Sequence, residues 1–213
     1  MIRKYLLAVI IWIPAICLSA QEIRLGVDFD RMILPKVEML SKVQLRTAFH
    51  GQDVFYSIAQ AGLRYKIHKQ VSMAGSIRYS LGTNKFSESE YSSFQDKMRY
   101  TAETKFTSKR FSSGVRLSYR VRYQHSKTRK GNNKDYLRNK LILQYKLNKE
   151  VKPYIGTELY FRFGENEVQR GRLYLGSDFK LFRKEAELSY IFEGDFDDAY
   201  FRSFHMFGLF FKL

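Results

Sequence analysis

The stretch Leu137–Phe163, LRNKLILQYKLNKEVKPYIGTELYFRF, decides how this chain folds. Its first half puts Leu137, Asn139, Leu141, Leu143, Tyr145 and Leu147 on one face, with Arg138, Lys140, Ile142, Gln144 and Lys146 on the other. After Asn148-Lys149-Glu150 the alternation restarts, with Val151, Pro153, Ile155, Thr157, Leu159, Phe161 and Phe163 against Lys152, Tyr154, Gly156, Glu158, Tyr160 and Arg162. A period of two over this length means strand, and a short polar gap between two such runs means hairpin. Strands in a soluble sandwich typically run about 5–6 residues. These are longer and suit a tilted crossing of a bilayer, which takes about 9–11 residues. The expectation is an all-β fold, an antiparallel transmembrane up-and-down β-barrel.

The start of the chain agrees. Arg3 and Lys4 precede the apolar run Leu6–Ile16, and Leu18-Ser19-Ala20 precedes Gln21 as a small-residue cleavage site. That is the plan of a secretory signal peptide, too short in its apolar part for a membrane-spanning helix. The expected organisation is residues 1–20 as signal peptide and 21–213 as barrel domain. Cleavage there removes Cys17 and Trp12, so the mature chain has no thiol for a disulfide or a metal. The chain carries +16 net charge, or +14 once Arg3 and Lys4 leave. In a soluble protein this would point to nucleic acid. Behind an export signal and long alternating strands it points instead to anionic lipid head groups or anionic solutes. With 15 Tyr, 18 Phe and only 3 Pro, the composition supplies the aromatic girdles of a barrel and few strand breakers.

Alternation recurs along the chain, clearest in Val37–Phe49, Phe55–Ile67, Val71–Leu81, Asp96–Phe106, Phe111–Tyr123, Arg172–Leu181, Glu185–Phe192 and Tyr200–Leu213. Glu22–Asp30 alternates as well, and Met32–Lys36, with Pro35, breaks it. The polar stretches 82–95, 124–135, 164–171 and 193–199 read as long loops, and those around His68, Ser108, Lys149 and Arg183 as short turns. Long and short connections then alternate, as in outer-membrane barrels, and this places the C-terminus in the periplasm. Ten strands are counted from Val37 onward. Because single-chain bacterial barrels are even-numbered, ten is the expectation and twelve the alternative, with Glu22–Asp30 left without a firm place. Phe207, Leu209, Phe211 and Leu213 share a face up to the last residue and look like the C-terminal signal read by the barrel assembly machinery.

At GLRYKI (Gly62–Ile67), RLSYRVRYQ (Arg116–Gln124) and above all RNKLILQYKLNKEVKPYIGTELYFRF (Arg138–Phe163), the chain resembles a family of small outer-membrane proteins from the Bacteroidetes, catalogued as a domain of unknown function. The resemblance spans essentially the whole mature chain. It implies a barrel in the outer membrane and supplies no activity and no functional residues.

The residues that carry chemistry lie on the inward face. By parity it holds Arg46, Arg64, Arg116, Arg120, Arg122, Arg138 and Lys140, with fewer acids, Glu103 and Glu158 among them. A small barrel is filled by its own side chains, and Arg forks pair well with carboxylates, so a closed or narrow charge-networked lumen is expected. A narrow anion-preferring channel is the alternative, since rings of Arg and Lys favour anions. The residues give no sign of an enzyme beyond Ser203 and His205, two apart on the outward face. As nucleophile and base, that pair would make a lipid esterase. The basic loop 125–134 and the acidic loop 193–198 read as solvated faces. His50, His68 and His125 lack metal-ligand spacing, and no metal or other cofactor is expected. The expected partners are outer-membrane lipid and lipopolysaccharide, with the assembly machinery during biogenesis. Nucleic acid is excluded, and the barrel is expected to be a monomer.

Overall fold

The computed structural model describes residues 21–48, 54–84, 93–128, 133–164, 167–181, 184–196 and 202–213. They form eleven strands: β1 (Glu22–Leu34), β2 (Val37–Ala48), β3 (Val54–Lys66), β4 (Val71–Asn84), β5 (Ser93–Thr107), β6 (Val115–Thr128), β7 (Asn133–Tyr145), β8 (Val151–Arg162), β9 (Val168–Leu181), β10 (Lys184–Asp195) and β11 (Arg202–Lys212). Each pairs antiparallel with the next, and β1 closes the barrel by running parallel to β11. The all-β, up-and-down barrel stands as expected. The strand number falls at eleven, between ten and twelve, because Glu22–Asp30 is the start of a full strand. β1 continues past Asp30 to Leu34 and ends at residues 35–36, where Lys36 takes a left-handed φ of 71°.

The closing seam is regular. Glu22 sits opposite Met206 and the register holds through Asp28 opposite Lys212. Gln21 N–H donates to the His205 carbonyl at 2.8 Å, and Leu213 N–H to the Asp28 carbonyl at 2.9 Å. Among the described strands none is left with an open edge to pair with another chain. The Phe210 ring turns into the lumen at this seam, in contact distance of the places where a Cβ on Gly26 of β1 or on Gly208 of β11 would sit. Glycine on both strands is what admits the ring.

Several strands run further toward the entry end than sequence alternation suggested, while β6 starts at Val115 rather than Phe111 and β7 ends at Tyr145 rather than Leu147. β6 reaches Thr128 and β7 begins at Asn133, so the supposed loop 124–135 is mostly strand; β10 likewise extends to Asp195. Residues 35–36, 67–70, 108–114, 146–150 and 182–183 join strands at the exit end, where the chain finishes. Residues 49–53, 85–92, 129–132, 163–167 and 196–201 join them at the entry end, where β1 begins. Segment 108–114 is longer than 129–132, so the expected alternation of long and short connections does not hold. The expected signal peptide, His50, Arg129, Lys130, Asp197 and Asp198 lie outside the described residues.

The wall is inverted relative to a soluble protein. Val43 and Leu45 are 54% and 57% exposed while Gln44 between them is 2% exposed. Leu173 and Leu175 are 55% and 50% exposed around Tyr174 at 6%. Apolar side chains coat the outside, and the buried polar set is Arg24, Gln44, Gln124, Ser126, Arg138, Glu158, Gln169, Ser189 and Glu193.

Candidate functional site: a cationic lumen

Eleven strands spaced about 4.8 Å apart and tilted by about 40° give a backbone wall about 22 Å across. Long side chains reaching in from all sides leave a narrow interior. One cavity of about 810 Å³ occupies it toward the entry end. Among the described residues, twelve Lys and Arg side chains line it against four carboxylates, Glu22, Glu187, Glu193 and Asp195.

Parity sets which side chains enter, and register sets which of them meet. Glu158 of β8 is fully buried. It accepts from Arg120 of β6 at 2.9 Å, from Arg138 of β7 at 2.9 Å and from the Tyr174 hydroxyl of β9 at 2.5 Å. Tyr160 adds a longer hydroxyl bond at 3.3 Å and its ring lies under the Arg138 guanidinium, 4.2 Å from centroid to carbon. Glu103 of β5 takes Arg122 of β6 at 2.5 Å. Arg122 and Arg138 sit directly opposite each other, and each is neutralised by a different carboxylate. Lys140 has its ammonium 3.4 Å from the centroid of the Tyr174 ring.

Toward the exit end several cations stand in ion pairs. Arg64 bonds Glu38 at 2.9 Å, Lys42 lies 2.9 Å from Asp28, and Lys212 bonds Asp178 at 2.7 Å. Gln144 donates to Asp178 at 2.7 Å and Tyr154 to Glu187 at 2.6 Å. At the entry end Arg24 pairs with Glu22, and Arg172 pairs with Glu193. Arg170 lies 2.9 Å from Asp195.

Of the residues singled out from sequence, Arg46, Arg122, Arg138 and Lys140 line the cavity, and Arg120, Glu103 and Glu158 join the pairs beside it. Arg64 belongs to the exit-end pairs with Glu38 and Asp30. Arg116 faces inward at the end of β6, opposite Gln144, but is exposed and joins none of these pairs. Arg24, Arg170, Glu193 and Asp195 were missed. The signal for Glu193 and Asp195 was present, because the parity of β10 continues through them, but the run EGD reads as a turn. Outside, Phe207, Leu209 and Phe211 lie on the outer face of β11, Leu209 between Leu25 and Leu188, and Leu213 follows the end of the strand. His205 shares that face with Ser203, yet its Nδ1 lies 2.5 Å from the Tyr190 hydroxyl and its ring meets Phe192, 5.4 Å between centroids.

Against protein families, residues 25–198 match the model of one described as Protein of unknown function (DUF2490). This chain belongs to that family. The match runs from within β1 past the end of β10 and stops before β11. Among curated proteins there is no match. The expected kinship with a domain of unknown function thus holds, and the site must be read from its own chemistry.

Proposed function

We propose that this DUF2490 member is an outer-membrane barrel with a narrow cationic lumen and a permeability-related, non-enzymatic role. The observation that carries the reading is the inverted wall. A soluble protein does not expose Val43, Leu45, Leu173 and Leu175 while burying Gln44 and Glu158; a lipid-facing barrel does. In this reading residues 1–20 direct export, and the assembly machinery reads Phe207, Leu209, Phe211 and Leu213. Lipid and lipopolysaccharide surround a monomer. The excess of cations around the cavity favours anions over cations in whatever passes. The outward His205 is held by Tyr190 rather than by Ser203, which weighs against an esterase.

The test is ion current. The full chain, folded in detergent, is added to a planar bilayer under a salt gradient. Small steps with a reversal potential on the anion side are the expected result. A stably inserted barrel without current would remove the permeability role and leave a structural one. A chain recovered in soluble fractions would remove the membrane itself.

A further inference from the structure

The two sides of the cavity differ in how their charge is met. On β9, β10 and β1, cations stand beside carboxylates: Arg172 on Glu193, Arg170 on Asp195, Arg24 on Glu22. Toward the entry end of β2, β4 and β5, beyond the Lys42–Asp28 pair, carboxylates are scarcer among the described residues. Arg78 and Arg99 occupy directly opposite register positions. Arg78 donates twice to one neutral acceptor, the Gln60 amide oxygen, at 2.9 and 2.5 Å. Arg99 keeps a buried Nε without a partner, as does Arg46. Arg46 has a neutral amide too, Gln44 at 3.3 Å, and its nearest carboxylate is 3.7 Å away on Glu22, which Arg24 already holds. Lys97 lies two residues from Arg99 on the same face and lines the same cavity. Like charges opposite each other in a sheet are destabilising, and buried donors left unmade cost more than a typical hydrogen bond returns. A bound anion would reverse both penalties.

We propose that this side of the lumen binds a small solute through a phosphoryl group, with Arg46, Arg78, Lys97 and Arg99 as its ligands. The inference rests on the barrel reading above and names the anion class it serves. Guanidinium forks match phosphate oxygens two at a time. Several of them around one space suit a group with three oxygens and two charges better than a halide or a single carboxylate. The cavity is within the size range of small-molecule sites. Ser126, buried and opposite Arg99, adds a hydroxyl on the flank. Gly82, on the same strand as Arg78, admits the Tyr56 ring, which lines the cavity beside these cations.

The experiment titrates pyrophosphate into the detergent-folded full chain by calorimetry at low salt, with malonate and chloride in parallel. Pyrophosphate is expected to bind at least about tenfold more tightly than malonate, and to weaken as salt is added. Arg99→Gln is expected to lose at least about tenfold in pyrophosphate affinity, with Arg64→Gln, from the exit-end pairs, unchanged. Arg99→Gln removes like-charge repulsion and should fold; heat-modified gel mobility verifies this, and Lys97→Gln serves the same purpose. Three results would overturn the site: no heat from pyrophosphate with a folded barrel, equal affinity for malonate, or equal losses in Arg99→Gln and Arg64→Gln. Bilayer current from the same preparation separates the two ideas. A barrel that conducts but ignores pyrophosphate refutes this site and leaves the permeability role standing.

Discussion

At the scale of a residue, Glu158 carries the most. A buried carboxylate is stable only when its charge is met, and here two guanidiniums and a tyrosine hydroxyl meet it within 2.9 Å. Replacing it by Gln keeps the shape and removes the charge, which leaves Arg120 and Arg138, diagonal neighbours on β6 and β7, without the carboxylate between them. Breaking a buried pair from one side costs about 3–5 kcal/mol, so Glu158→Gln should shift urea unfolding of the folded barrel strongly toward lower denaturant. Arg64→Gln breaks a pair that is partly open to water, and pairs of that kind are worth about 1 kcal/mol or less. Equal midpoints for the two variants would mean that the Glu158 cluster is not what ties β6, β7, β8 and β9 together. The participants were legible in the sequence, because parity alone put Arg120, Arg138 and Glu158 on one face. Their convergence was not, since it depends on the register between β6, β7 and β8, which no local signal states.

At the scale of an element, the parallel seam between β1 and β11 is the unexpected feature. It makes Leu25 and Leu209 direct neighbours on the outer face. Leu45 lies one strand further on, opposite Leu25, which puts it about 9–10 Å from Leu209, beyond disulfide reach. In a Cys17→Ala background, a Leu25→Cys, Leu209→Cys variant should form an intramolecular disulfide, seen as a mobility shift that reductant abolishes. Leu45→Cys with Leu209→Cys should not. The opposite outcome would indicate a ten-stranded barrel closed between β2 and β11. Strand identity was readable because one face is apolar and the other charged. Strand ends were not, for a physical reason: in Gln124–Thr128 and Asn133–Asp135 both faces are polar, so hydropathy stops alternating while backbone pairing continues. Closure was unreadable too, because the two terminal strands share no turn whose residues could announce their direction.

At the scale of the whole molecule, the question is what the apolar exterior faces. If it faces lipid, the cost of a charge placed on it must depend on depth. Ile155, fifth of the twelve residues of β8 and 55% exposed, sits well inside the wall; Leu147, 63% exposed, sits in the exit-end segment 146–150. A charged residue near the midplane of a lipid-facing wall costs about 2–4 kcal/mol, falling to about 0–1 near the interface. Ile155→Arg should therefore lower the stability of the barrel in lipid vesicles by about 2–4 kcal/mol and Leu147→Arg by about 1 kcal/mol or less, read from urea titrations of refolding into vesicles. If the exterior instead met water, both positions would be ordinary surface sites, and substitutions there usually stay within about 0.5 kcal/mol. Two small and equal effects would contradict the membrane reading even if the chain bound detergent. A large effect at Ile155 alone would require hydrocarbon around the middle of the wall, which no soluble barrel of this shape would supply.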